Sequence, residues 1–266
     1  MIRSQNILVV GSNGVIGRDI CTSLRPKNKI IAIDINYNKS DDFAKLRKKN
    51  QINIKIDVKN TAQVENLFLK LKKNRVNIDS LVFGPTLKTN DFYEPFETTA
   101  FNSWSNIIKT ELDGAFNFSQ QFIKSSKNKK KRNIVFLSSI YSIVTHDHRM
   151  YENTNIATIL TKTKKNKKKL FSHAAYPVAK SGIVALTKYL AAYCGKKSIR
   201  VNSVSPGGVE QKGIDRKFVK NYSDKVPMNR RAKLREITNV VNFLLSPDSS
   251  YITGQNIIVD GGYTIW

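Results

Sequence analysis

Short apolar runs alternate with longer stretches of helical period along this chain. That alternation restricts the fold more than any other feature. The runs are Asn6–Val10, Ile30–Asp34, Ile52–Ile56, Asp79–Phe83, Asn133–Leu137, Ile199–Val204 and Asn256–Val259. Between them, Val15–Leu24, Ala62–Leu71, Phe101–Ile123, Ala175–Tyr193 and Ile237–Leu245 carry apolar residues at helical intervals. Continuous apolar strands separated by helices belong to a parallel sheet covered on both faces, with right-handed crossovers. The spacing predicts an α/β chain of three layers, αβα, around a doubly wound, mainly parallel, seven-stranded sheet. A length of 266 residues with 40% hydrophobic content suits one domain over 1–266. No apolar run reaches the roughly 18–20 residues of a membrane span. The first residues enter a strand without an h-region or cleavage site, so no signal peptide is expected. Cys21 and Cys194 lie far apart in helical patterns. Two buried free thiols in a reducing cytoplasmic setting are the expectation.

The first strand runs into Gly11-Ser-Asn-Gly14-Val-Ile-Gly17 and then a helix. Glycines there permit a tight turn, close backbone approach and close helix–strand packing, and the helix N-terminus meets phosphate charge. Gly11, Ser12, Asn13, Gly14, Val15, Ile16 and Gly17 are therefore candidate ligands of a dinucleotide pyrophosphate. The context is that of a Rossmann fold. Asp34 ends the second strand. A carboxylate there accepts hydrogen bonds from ribose hydroxyls and repels a 2′-phosphate, which predicts NAD(H) in preference to NADP(H). Asp57 and Val58 follow the third strand, where an adenine contact could sit.

Tyr176-Pro-Val-Ala-Lys180 opens the long fourth helical stretch, and positions i and i+4 share a face. An ammonium beside a tyrosine favours the phenolate, so Tyr176 can act as a general acid or base. Pro177 is tolerated in the first turn. Ser138-Ser139 end the fifth strand at the carboxyl edge of the sheet, where ligands bind in such folds.

Taken together, these motifs resemble the short-chain dehydrogenase/reductase family over essentially the whole chain. Arg200-Val-Asn-Ser-Val-Ser-Pro-Gly-Gly208 and Ser250-Tyr-Ile-Thr-Gly-Gln-Asn-Ile-Ile-Val-Asp-Gly-Gly262 add to the likeness. The resemblance implies hydride transfer between nicotinamide and a carbinol or carbonyl carbon. Tyr176 would be the acid/base. Lys180 would hold the nicotinamide ribose and tune Tyr176, and Ser139 would stabilise the substrate oxygen. Pro206, Gly207 and Val209 would flank the nicotinamide. No metal is implied.

Three departures stand out. The glycine spacing is G-x-x-G-x-x-G where the family usually has G-x-x-x-G-x-G. Phe83-Gly-Pro-Thr86 replaces Asn-Asn-Ala-Gly. Glu111-Leu-Asp-Gly114 replaces an Asn-Leu-x-Gly context, so Glu111 would either hold the relay water or pair with Lys180 directly. Also unusual are the 37 positions separating Ser139 from Tyr176, where about a dozen would suit a short strand-to-helix connection. The excess forms a polar, basic insertion at about 143–173 over the substrate pocket. Its His146-Asp-His148 has metal-ligand spacing without further ligands and reads as solvated loop. His173 reads as a helix-start residue and not as a base. Glu210–Asp224 reads as a mobile flap over the substrate.

The formal charge is +25, with runs at Lys127–Arg132 and Lys162–Lys169. Lys, Asn and Ile are enriched throughout, so the excess reads as solvated loops, and nucleic acid is an unlikely partner in the absence of any recognisable module. A positive field still attracts phosphorylated ligands. Ser139-Ile-Tyr-Ser, Arg149–Asn155 and the ending Val259–Trp266 resemble the flagellin-modification protein A-like branch, which implies bacterial surface-sugar biosynthesis and a sugar phosphate or nucleotide sugar as substrate. The competing enzyme reading is a 3-oxoacyl-carrier-protein reductase, against which Asp34 disfavours the usual NADPH. A non-catalytic dinucleotide-binding scaffold or sensor is the reading from another class. Apolar faces around Phe116–Phe122 and Ala185–Tyr193, with Trp266, are compatible with a homotetramer or homodimer.

Overall fold

The computed structural model describes residues 4–125, 131–161 and 169–266. Strands β1 (Asn6–Val10), β2 (Lys29–Asp34), β3 (Gln51–Lys55), β4 (Ser80–Phe83), β5 (Arg132–Leu137), β6 (Ile199–Pro206) and β7 (Asn256–Val259) form one sheet in the order β3-β2-β1-β4-β5-β6-β7. Every pairing is parallel. This is the doubly wound Rossmann arrangement read from the sequence. The order reverses between β1 and β4, which opens a crevice beyond their carboxyl ends.

The period of two along each strand separates the two cores. Leu8, Val10, Ile31, Ile33, Leu81, Phe83, Ile134 and Phe136 face one side. There they meet α2 (Thr61–Lys73), α4 (Gly114–Lys124) and α6 (Ala175–Cys194). Ile7, Val9, Ile30, Ala32, Val82, Val135 and Leu137 face the other, against α1 (Val15–Leu24) and α8 (Leu234–Leu245). Each such fully buried side chain contributes roughly 1.5–3 kcal/mol.

The segment expected to be one helix over Phe101–Ile123 is interrupted. It consists of α3 (Phe101–Ile108), a π turn at Lys109–Asp113, and α4. π turns inside helices recur at functional sites because they re-aim one side chain. Here that residue is Glu111, which is buried.

The basic run Lys127–Arg132 also needs correcting at its end. Residues 127–130 lie outside the described residues, but Arg132 is the first residue of β5 and is buried. Its Nε donates to Ile78 O at 2.9 Å and its Nη1 to Phe122 O at 2.8 Å, with the guanidinium 3.7 Å from the Phe122 ring centre. It is an interior strut and not part of a solvated patch. Of the run Lys162–Lys169, only Lys169 is described.

The insertion is more apolar in its packing than its composition suggests. It contributes a short 3₁₀ turn at His148–Tyr151 and the helix α5 (Ile156–Thr161). Met150, Tyr151, Ile156, Ala157 and Leu170 are buried in a third cluster. That cluster includes Phe218 and Tyr222 of α7 (Arg216–Ser223). Glu210–Asp224, expected as a mobile flap over the substrate, carries a helix packed against the insertion. The Tyr151 and Phe218 rings stack at 5.6 Å with 7° between planes. Asn155 N donates to Asp215 Oδ2 at 3.0 Å, Asn221 Nδ2 donates to Met150 O at 3.1 Å, and Asp147 pairs with Lys225.

Candidate active site

The residues singled out in the sequence converge on one cavity of about 630 Å³ along the carboxyl edge of the sheet. Gly11, Asn13, Gly14, Val15, Ile16 and Gly17 line one end together with Asp34, Asp57 and Val58. Ser139, Tyr176, Lys180, Pro206, Gly207 and Val209 line the other. Ser12 stands just outside the lining: it is buried, and its hydroxyl donates to Ile33 O at 2.9 Å.

The glycine loop has steric reasons at two positions. Gly11 has φ +79°, in the left-handed region, and a Cβ there would lie 2.8 Å from Pro85 N. A Cβ on Gly17 would run into the Gly11 carbonyl oxygen, so the altered spacing still brings α1 tightly against the loop. Gly14 is the N-cap of α1 and no side chain caps the first turn, in contrast to α2, where Asn60 accepts from Gln63 N. An uncapped first turn facing a cavity suits phosphate oxygens. Asp34 is held by two backbone donors, Asn13 N to Oδ2 and Asn36 N to Oδ1, each at 2.9 Å. Each oxygen retains a lone pair for a ribose hydroxyl. Asp57 Oδ1 accepts from Lys59 N at 3.0 Å, which makes it a turn former at the cavity rim, while Val58 is buried. The cavity, the uncapped helix and the anchored carboxylate together fit a dinucleotide.

At the other end, Ser138 and Ser139 diverge. The Ser138 hydroxyl donates to Lys180 O at 2.9 Å and ties β5 to α6. Ser139 Oγ accepts from Tyr141 N at 3.2 Å, capping a 3₁₀ turn, and the same hydroxyl helps to pull the Tyr176 pKa down. Lys180 is buried beneath Tyr176, its Nζ 5.5 Å from the ring centre. The same Nζ donates to Leu137 O at 3.2 Å and to Thr86 Oγ1 at 3.5 Å. It also lies 3.0 Å from Glu111 Oε2, with side-chain exposures of 3% and 0%. That contact has the distance of an ion pair. Glu111 Oε1 accepts from Leu87 N at 3.2 Å. Of the two arrangements open to Glu111, the structure has the direct pair with Lys180.

These charges act on the phenol in opposite directions. Burial pushes the Tyr176 hydroxyl up, Lys180 pulls it down, and the Glu111 carboxylate pushes it up again. Burial pulls Lys180 down, but Glu111 and Tyr176 hold it above the usual lysine value, so it stays charged.

The insertion supplies residues that the sequence did not mark as site residues. His146 is buried and stacks on Tyr141 with ring centres 3.4 Å apart and 18° between planes, and its ring centre is 6.0 Å from that of Tyr176. The expectation of a solvated His146-Asp-His148 loop is therefore corrected. Burial, with His148 and Lys88 adding, drives His146 down to about 3, so it is neutral. Asp147 turns outward to Arg149, at 2.8 Å, and to Lys225. His173 is a helix-start residue: its Nδ1 accepts from Ala175 N at 3.1 Å. Lys88, Tyr93, Tyr151 and Arg231 also line the cavity. Aromatic spacing in 141–151 was the one sequence signal for this wall.

Comparison with known proteins agrees with this geometry. The family model described as short chain dehydrogenase matches residues 5–151, and one described as enoyl-(acyl carrier protein) reductase matches 149–264. A 3-oxoacyl-acyl-carrier-protein reductase of Buchnera aphidicola subsp. Schizaphis graminum is 27% identical, covering 98% of this chain and 98% of its own. A post-translational flagellin modification protein A of Campylobacter coli is also 27% identical, covering 99% of each chain. Among solved structures, a short chain dehydrogenase from Leptospira borgpetersenii with bound NAD+ superposes with TM-score 0.84 at 28% identity, covering 98% of this chain and 93% of its own. No helix among the described residues is long and apolar enough to cross a membrane.

Proposed function

The chain belongs to the short-chain dehydrogenase family, and from that premise we propose that it is an NAD(H)-dependent oxidoreductase acting on a sugar phosphate or nucleotide sugar. The observation that carries the reading is the single cavity joining Asp34 to the Ser139–Tyr176–Lys180 cluster. A bound nicotinamide dinucleotide supplies the acceptor or donor of hydride. Tyr176 takes the hydroxyl proton of a carbinol as the C–H bond releases hydride, and returns it to the carbonyl oxygen in the reverse direction. Ser139 donates a hydrogen bond to the same oxygen. Lys180 stabilises the phenolate, holds the ribose side of the cofactor, and is itself positioned by Glu111. The anchored Asp34 carboxylate supports NAD(H) over NADP(H), because a 2′-phosphate would meet a buried negative charge.

Saturable NADH binding, weakened in Asp34→Ala, followed by turnover of sugar phosphates or nucleotide sugars, tests this reading. Dinucleotide binding without turnover of any such substrate would favour the scaffold reading, and absence of any dinucleotide binding would overturn both. The similarity to flagellin modification protein A supports the sugar substrate. The similarity to the Buchnera reductase and the charge of +25 favour a second reading, reduction of the 3-oxo group of an acyl chain on an acidic carrier protein. That reading requires activity on carrier-bound substrate that falls steeply with salt. We further propose a homo-oligomer, supported by exposed Phe116, Tyr189, Tyr193 and Trp266. The buried free thiols Cys21 and Cys194 support a cytoplasmic setting.

A further inference from the structure

Two cations stand in the substrate end of the cavity without a carboxylate between them. Lys88 follows β4, and its Nζ lies 5.6 Å from the Phe92 ring centre and 5.9 Å from that of Tyr93. Arg231 precedes α8 and is buried, 5.8 Å from the Phe218 ring centre. One of its terminal nitrogens donates to Val209 O, while its Nε is buried with no partner. Both line the same cavity. No carboxylate of the described residues comes within ion-pair distance of either. Glu111, which acts on Lys88 from beyond that distance, is engaged by Lys180, and Glu210 acts on Arg231 only at longer range.

Burying a cation is costly unless it is paired, and bringing two together adds repulsion. Here that cost is visible: burial, with Arg231 adding, takes Lys88 down to about 8. A fold that only needed to fill this wall would use apolar residues, as its neighbours Phe92 and Phe218 do. An anion between the two side chains would relieve both penalties and satisfy the orphaned Nε.

We propose that Lys88 and Arg231 form an anion subsite that receives a carboxylate or phosphate group of the substrate, beyond the carbon presented to Tyr176. The Phe92 ring, 5.9 Å from the Tyr176 ring, forms the wall between the subsite and the reacting end. This deepens the dehydrogenase reading and rests on it: the substrate carries a fixed negative charge, and the subsite selects for it.

The test uses NADH-loaded protein, so that the cofactor's own pyrophosphate site is filled. Inorganic phosphate, acetate and uncharged acetamide are titrated at constant ionic strength, with calorimetry and bound-NADH fluorescence as readouts. Wild type should bind phosphate or acetate saturably and ignore acetamide, and whichever anion binds tighter identifies the group. Lys88→Gln and Arg231→Gln should each weaken that binding about tenfold or more, the loss of one charge-assisted contact, while NADH affinity is retained. Anion binding equal in wild type and variants, or absent in wild type, overturns the subsite while leaving the dehydrogenase reading intact. Failure of wild type to bind NADH overturns both. If Arg231→Gln does not fold, Lys88→Gln decides.

Discussion

The ammonium of Lys180 lies 3.0 Å from the carboxylate of Glu111, both sealed from solvent beneath the phenol of Tyr176. The lysine is shared between a phenol whose pKa it pulls down and a carboxylate that pushes that pKa up. Glu111 reaches it from a π turn, so the backbone irregularity and the electrostatics are one feature.

Glu111→Gln should shift catalysis to lower pH. The carboxylate raises the Tyr176 hydroxyl and Lys180 lowers it, so removing the negative charge leaves the ammonium unopposed and favours the phenolate. The rising limb of kcat against pH for alcohol oxidation should move to lower pH. An unchanged profile would limit Glu111 to packing. Glu111→Leu strands a buried ammonium and should lower unfolding free energy by about 3–5 kcal/mol in urea titrations.

Tyr176→Phe should lower kcat by about 10²–10⁴, the usual worth of a positioned acid or base. The ring keeps its contacts with Phe92 and Tyr141, so NADH affinity by fluorescence should hold. Turnover near wild-type level would move the proton transfer to another group.

Asp34→Ala removes an acceptor from the ribose end of the cavity. NADH should bind about tenfold more weakly or worse, from loss of charge-assisted hydrogen bonds, and the ratio of NADPH to NADH affinity should rise. A ratio that does not change would place cofactor selection elsewhere in the loop.

Asp147 ties the insertion to the segment after α7. Its hydrogen bond with Arg149, helped by Lys225, holds it well below the usual carboxylate range. A group depressed on folding contributes stability above its unfolded pKa, about 3.9 for an aspartate. That contribution is lost as pH falls towards the folded value. Asp147→Asn should therefore lower Tm at pH 7, and the gap from wild type should close progressively below about pH 4. A gap independent of pH would show that the tie is not electrostatic.

What the sequence made legible was local or periodic. The strand period, the glycine loop and the four-residue step from Tyr176 to Lys180 lie within single turns or single elements, where spacing fixes geometry. Asp34 was legible because it terminates a strand. The roof was not, because its ties join Asp147 to Lys225 and Asn155 to Asp215, pairs 78 and 60 residues apart. Arg132 was hidden by composition, since the lysine run before it masks the cation that opens β5. Lys88 and Arg231 carried no signal of their own, because only the fold brings them to one cavity.

The strand ends build the floor of this cavity, whereas the insertion and α7 build much of its roof, packed on each other and on Tyr93, Tyr141 and Tyr263. Substitutions in the roof can therefore recast which molecule is admitted while the floor of strand ends stays fixed.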